Sequence, residues 1–376
     1  MNFETLAVHG GGEHDETTGA IAPPLHLSTT FARGADGAPL HGFGYIRESN
    51  PTGDRCEKLL ALMEQGECAL TFASGLAAGA AFFQALPAGT HVVLQEDCYF
   101  GFLEMARDYF PRWGLRHTVV DFKNPALVRA AITPETKVIW AETPSNPLMS
   151  IVDLEAIIAI GAAAGAIVAV DNTFASPALQ RPLTLGAGVV MHSTTKYIGG
   201  HSDVQGGALI FREASDLFTE TAHVRKIIGG VASPFNSWLV MRGARSLSAR
   251  MRMHCSNAMS IANALTGHSR VTAVHYPGLE SSEGHQIAKR QMTGGFGGML
   301  SFRIDGTGAE ALGVVSRTKL FTRATSLGGV ESLIEHRRTS EGAKSVTPEN
   351  LIRLSVGLEH EDDLIADLNQ ALTVSS

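Results

Sequence analysis

The chain has 376 residues, 44% of them hydrophobic and 18% charged, with 30 Lys and Arg against 37 Asp and Glu. That length suits two domains with an ample core, and a formal charge of −7 without a basic block argues against a nucleic-acid partner. The opening stretch MNFETLAVHGGGEHDE lacks the basic and apolar regions of a secretory signal, and no apolar run is long enough to span a bilayer, so no membrane partner is expected.

Cys56, Cys68, Cys98 and Cys255 show no CxxC spacing and read as reduced thiols of a cytoplasmic protein. The 15 His residues are scattered and form no HExxH, so no metal site is expected.

Residues 1–50, rich in Gly, Pro and His, predict an extended arm. The apolar spacing of Leu59, Leu60, Leu62 and Met63 predicts a helix over 52–65, and a second helix should begin near Ser74-Gly75. HVVLQ (91–95) and KVIWAE (137–142) read as strands. DLEAIIAIGAAAG (153–165) opens on an N-cap Asp and closes on Gly, the start and stop signals of a helix. IVAV (167–170) and VVMH (189–192) follow as strands. Apolar strands alternating with helices predict an α/β fold, a mostly parallel sheet covered by helices on both faces.

The style changes near residue 236. A helical region over about 237–265 leads into VTAVHYPG. GGMLSFRID and NLIRLSVGL look like strands, GAEALGVVSR and DDLIADLNQAL like helices. Residues 51–236 are therefore expected to form a large domain and 237–376 a smaller α+β domain.

Ligands of open α/β sheets bind beyond the carboxyl ends of the strands. Four strands deliver there Tyr99, then Asn146 in ETPSNP, then Asp171, then Ser193, Thr195 and Lys196. An aromatic ring, an amide, a carboxylate and an amine are the parts that pyridoxal 5'-phosphate (PLP) needs. Its aldehyde forms an imine with a lysine, its pyridinium nitrogen wants a carboxylate, and its ring stacks on an aromatic. Its phosphate wants hydroxyls and the amides of a helix N-terminus, which Ser74, Gly75 and Leu76 offer.

The stretches YIRESNPT, FASGLAA, ETPSNP, VDNTFASP, HSTTKYIGGHSDVQGG, SLGGVESL and RLSVGLE, in order between residues 45 and 359, resemble the PLP-dependent enzymes of cysteine and methionine metabolism. That family includes cystathionine γ-synthase, γ-lyase and β-lyase, methionine γ-lyase and O-acetylhomoserine sulfhydrylase. The resemblance implies a fold-type-I PLP-dependent transferase, an amino-acid substrate, and a homotetramer built from two catalytic dimers. The implied chemistry is γ-elimination or γ-replacement, most like cystathionine γ-synthase or γ-lyase. A methionine γ-lyase or O-acetylhomoserine sulfhydrylase-type enzyme is the alternative, and a non-catalytic PLP-binding protein is a reading of another class.

On this resemblance Lys196 would carry the cofactor and move protons on the substrate, where by itself it could be a solvated lysine. Asp171 would hold the pyridinium, where it could be a turn or helix cap. Tyr99 would stack on the ring and serve as a second catalytic group by accepting a proton from the incoming amino group, where it could be a core tyrosine. Its neighbours Phe100 and Phe102 are larger than the family's usual residues. Ser74, Gly75, Leu76, Ser193 and Thr195 would hold the phosphate, joined by Tyr45 and Arg47 from a neighbouring subunit. Asn146 would touch the ring oxygen or the substrate carboxylate, or serve as a turn former. Arg353 would pair with the substrate α-carboxylate, helped by Ser326, where a structural ion pair is the plainer reading. Thr325 stands where many relatives have a glutamate that can bind the distal amino group of cystathionine.

Overall fold

The computed structural model describes residues 1–12, 14–342 and 345–373. Seven strands form the first sheet: β1 (Cys68–Phe72), β2 (His91–Gln95), β3 (Arg116–Val120), β4 (Thr136–Glu142), β5 (Ile167–Asp171), β6 (Val189–His192) and β7 (Gly207–Phe211). They lie in the order β1-β7-β6-β5-β4-β2-β3. Only β7 runs against its neighbours, so the other six point one way.

Side chains of a strand alternate between faces. Val93, Ile139, Val168 and Val190 enter one core, while Leu94, Trp140, Ala169 and Met191 enter another on the opposite face. Both faces are thus apolar and covered by helices, as the unbroken apolar runs predict.

Local signals set the helix starts. The Asn50 side chain caps Pro51–Glu64 by accepting from the Thr52 amide, Ser74 caps Gly75–Gln84 through the Ala77 amide, and Asp153 caps Leu154–Ala164 through the Ala156 amide. Gly165 ends the last of these at φ 64°, a left-handed conformation that favours glycine.

A second sheet contains β8 (Val271–His275), β9 (Met299–Ile304), β10 (Thr322–Arg323), β11 (Leu333–His336) and β12 (Leu351–Ser355), in the order β10-β11-β12-β9-β8. Phe302, Ile352, Leu354 and Leu368 belong to its separate core.

Three expectations change. The arm begins with a helix, Phe3–His9, whose Phe3 and Ala7 are buried against the first core. The single helix expected over 237–265 is two, Pro234–Ala244 and Leu247–Thr266. The break frees the Gly243 carbonyl to accept from Arg250 Nη2 at 2.7 Å, a local event that apolar periodicity does not register. The division expected at residue 236 falls inside Pro234–Ala244, and the first core continues through Met241, Leu247 and Met251. Strands β1, β3, β7, β8, β10 and β11 were not singled out by the pattern of the sequence. Among the described residues, no helix is long and apolar enough to cross a membrane.

Candidate active site

β4 and β5 are parallel neighbours, and Glu142 and Asp171 are register partners at their carboxyl ends. Both are buried and both line a cavity of about 430 Å³. Burial raises the Asp171 carboxyl above its usual range, opposed by the hydrogen bonds from Thr173 and the nearby His192. Glu142 is pushed well up, first by burial and then by the charge of Asp171. Two carboxylates this close do not both ionise readily, and both are held above their usual range, Glu142 well above it. Behind them His192 Nε2 lies 2.6 Å from Glu64 Oε1, which also accepts from Asn172 Nδ2 at 2.9 Å.

Beyond β6 the chain turns through Ser193-Thr194-Thr195-Lys196. The Ser193 amide donates to Thr173 Oγ1 at 2.9 Å, tying this turn to the loop after Asp171. Lys196 Nζ donates to Ser326 Oγ at 2.7 Å. Burial lowers the Lys196 amine to about 8, and the charges of Arg353 and Arg337 add to that. The SLGG stretch reaches this lysine because Gly328, at φ 80°, leaves no side chain in the way. A Cβ there would sit 2.7 Å from the Tyr197 amide nitrogen.

At the other end of the cavity lie Ser74, Gly75, Leu76, Ser193 and Thr195. The first three form the opening turn of a ten-residue helix. Two glycines make the approach possible: a Cβ on Gly75 would meet Ser193 Cβ at 3.1 Å, and one on Gly207 would strike Ser74 O at 2.2 Å. Thr195 Oγ1 is already engaged with both backbone groups of Gly206.

Tyr99 stands half-buried at the wall, its amide donating to Glu142 Oε2 at 2.6 Å. Burial raises its phenol, with Arg337 pulling the other way. The two large rings beside it separate. Phe102 is buried, its ring 4.8 Å from Trp140, in space that Gly79 leaves open. Phe100 is exposed and leans on Tyr99 at 4.7 Å.

Arg353, on β12, is buried at the cavity wall. Its Nη1 donates to Asn146 Oδ1 and its Nη2 to Ser326 O, each at 3.0 Å. Its Nη2 also lies 2.5 Å from Glu335 Oε2. The plainer reading of Arg353, a structural ion pair, therefore holds alongside its place at the cavity. Ser326, at φ 80°, joins Lys196 through its hydroxyl to Arg353 through its carbonyl. Thr325 is exposed at the mouth.

Twelve of the fourteen expected site residues line this one cavity. Tyr45 and Arg47 do not; they pack on each other, the guanidinium 5.0 Å from the ring. The sequence reading assigned no role to Glu142, Glu335 or Arg337. The carboxylate closing the apolar KVIWAE run and the charges in EHRR after the apolar LI pair were the available signals. The cavity suits PLP: an amine, a buried carboxylate and a glycine-opened helix N-terminus surround a space bordered by an aromatic ring.

The chain matches the family described as "Cys/Met metabolism PLP-dependent enzyme" over residues 4–373. It is 47% identical over 374 residues to a cystathionine gamma-synthase of Mycobacterium tuberculosis, covering 98% of this chain and 96% of that one. It is 41% identical to a cystathionine beta-lyase of Coxiella burnetii, covering 99% and 98%. The crystal structure of metB from Corynebacterium glutamicum superposes with a TM-score of 0.95 at 42% identity, covering 99% of this chain and 98% of that one. With the expected α/β fold in place and this likeness along almost its whole length, the chain belongs to the PLP-dependent enzymes of cysteine and methionine metabolism.

Proposed function

We propose that the chain binds PLP in this cavity and catalyses trans-sulfuration of the cystathionine γ-synthase or γ-lyase type. The observation that carries this reading is the Lys196 amine, lowered to about 8 and bonded to Ser326, in one cavity with Arg353. When bound, PLP supplies an electron sink that stabilises negative charge at the substrate α carbon.

The protein's own groups would do the rest. Lys196 would hold the cofactor and then, as a free amine with a near-neutral pKa, carry protons between the α, β and γ carbons of the substrate. Asp171 would keep the pyridinium nitrogen protonated, and Tyr99 would pack on the ring. Ser74, Gly75, Leu76, Ser193 and Thr195 would hold the phosphate. Arg353 would take the α-carboxylate, with Asn146 and Ser326 fixing its guanidinium. Tyr45 and Arg47 lie outside the cavity of their own chain, which supports the reading that a second copy supplies them within a homotetramer. The four unpaired cysteines support a cytoplasmic location.

A methionine γ-lyase or O-acetylhomoserine sulfhydrylase-type activity is favoured instead by one observation: Thr325 leaves the mouth without the carboxylate that would hold a distal amino group. The experiment is product analysis of the PLP-loaded protein with activated homoserine plus cysteine, with cystathionine alone and with methionine alone. Cystathionine from the first mixture supports the proposal. Turnover of methionine alone moves the chain to the alternative. Cofactor binding with no turnover leaves a PLP-binding protein.

A further inference from the structure

The wall that holds Arg353 carries a second guanidinium which the proposed reaction does not use. Arg337 follows β11 directly and lines the same cavity. Its side chain is only 7% exposed, and its guanidinium carbon lies 5.7 Å from the centre of the Phe100 ring. The group is held in place from behind. Its Nε donates to Glu341 Oε1 at 2.8 Å, and Glu341 Oε2 accepts from the hydroxyls of Ser345 at 2.6 Å and Thr347 at 2.7 Å. Towards Glu335 its Nη1 makes only long contacts of 3.4 and 3.5 Å, since that carboxylate is committed to Arg353 at 2.5 Å.

A buried cation is costly to keep unless something pairs with it. Glu341 and Glu335 pair with Arg337, which also lines the cavity. Arg353 suffices for the single α-carboxylate of an amino acid. A second, pre-ordered guanidinium on the same wall suits a second anion, and a planar fork suits a carboxylate. Thr325 at the mouth is neutral, so no fixed negative charge there opposes such a group. Nearby, the Phe100 ring offers an apolar face for the methylenes that would carry the carboxylate.

Resting on the proposed function, we infer that Arg337 is a specificity-determining residue that binds a carboxylate at the end of the substrate side chain. The preferred substrate is then an activated homoserine whose acyl group ends in a free carboxylate, in preference to one with a neutral acyl group.

The test compares the wild-type holoenzyme with Arg337→Gln and Arg337→Lys, using O-succinylhomoserine and O-acetylhomoserine with cysteine as the thiol. The ratio of kcat/KM for the acidic ester to that for the neutral ester is expected to fall about 10- to 100-fold in Arg337→Gln, mainly through KM, the loss of one charge-assisted hydrogen-bond pair. Arg337→Lys should recover part of the ratio. A ratio unchanged within about threefold, whether both esters suffer equally or neither does, overturns the inference. A parallel binding titration with L-2-aminononanedioate, whose distal carboxylate has the reach of the succinyl one, and with L-2-aminononanoate, its neutral counterpart, needs no turnover. Arg337→Gln should weaken the first far more than the second, and equal weakening overturns the inference. If the wild type turns over neither ester, the proposed reaction fails, and this titration still decides the role of Arg337.

Discussion

Arg353 and Asn146 meet across 207 residues of chain, guanidinium Nη1 to amide Oδ1 at 3.0 Å. One sits on a strand of the five-stranded sheet, the other in the loop beyond β4 of the seven-stranded sheet. Their contact closes the cavity between the two sheets and aims the guanidinium at the space beside Lys196. Arg353→Ala is expected to lower kcat/KM about 100-fold and Asn146→Ala about tenfold, as charge-assisted contacts of this kind are lost. The double variant should lose less than the product of the two, since the residues share one interaction. Steady-state kinetics on the four proteins checks this, and full additivity would refute the coupling.

Glu335 is the buried counter-ion of both arginines. Glu335→Ala removes the close carboxylate partner of Arg353 in a buried site, while Arg337 keeps Glu341, a change that costs roughly 3 to 5 kcal/mol. A urea midpoint lower than wild type by a corresponding amount is the expected result. An unchanged midpoint would show that the ion pair is not structural.

The Lys196 amine, lowered to about 8, is protonated and unreactive below that pH and free above it. The rate at which cofactor-free protein takes up PLP, read from growth of its visible absorption band, is therefore expected to rise through about pH 8 rather than near the ordinary lysine value. Lys196→Ala should develop no such band. A rate still climbing steeply above pH 9.5, roughly, would contradict the burial argument.

Gly207 lets β7 approach the Ser74–Gly75 peptide, where a Cβ would lie 2.2 Å from Ser74 O. Gly207→Ala must displace the opening turn of the helix that faces the expected phosphate. Cofactor affinity should fall at least about tenfold, more than overall stability suffers. Equilibrium titration with PLP, beside a thermal melt of the cofactor-free protein, separates the two effects.

His254, buried under Tyr197, donates its Nδ1–H to the Val356 carbonyl at 2.7 Å. Burial lowers it to about 4, so the folded state holds it neutral while the unfolded chain binds a proton below about 6.5. This neutral histidine favours folding in full above pH 6.5. The contribution is lost as the pH falls towards 4, where it levels off after a loss of roughly 3 kcal/mol. Denaturation midpoints measured across that range should flatten in His254→Gln. An equally steep profile in that variant would place the dependence on other groups.

Much of the site was legible because its parts are locally encoded. Ser74 caps a helix, Asp171 ends an apolar strand, and Lys196 follows another within a few residues. Glu142 was printed just as plainly at the end of β4, yet its meaning depends on register. Only the pairing of β4 with β5 sets it beside Asp171, whose charge adds to the burial that raises its carboxyl. Phe102 shows the converse. Beside Tyr99 in sequence it suggested an altered pocket, but the helix beginning at Phe100 turns it into the core against Trp140.

By itself the sequence determined four strands of the first sheet and the alternation with helices around them, the Asp153 and Gly165 limits of one helix, the identity of the reactive groups and the family to which they belong. These rest on hydrogen bonds and side-chain periodicity within a few residues, which neighbouring residue types dictate. Only the tertiary structure decided that Ser326 reaches Lys196 across 130 residues, that Glu335 pairs with Arg353, and that Arg337 faces the same cavity. Those relationships arise where two sheets close on each other, and they depend on strand register, on Gly328 at positive φ and on which charges find partners once water is excluded.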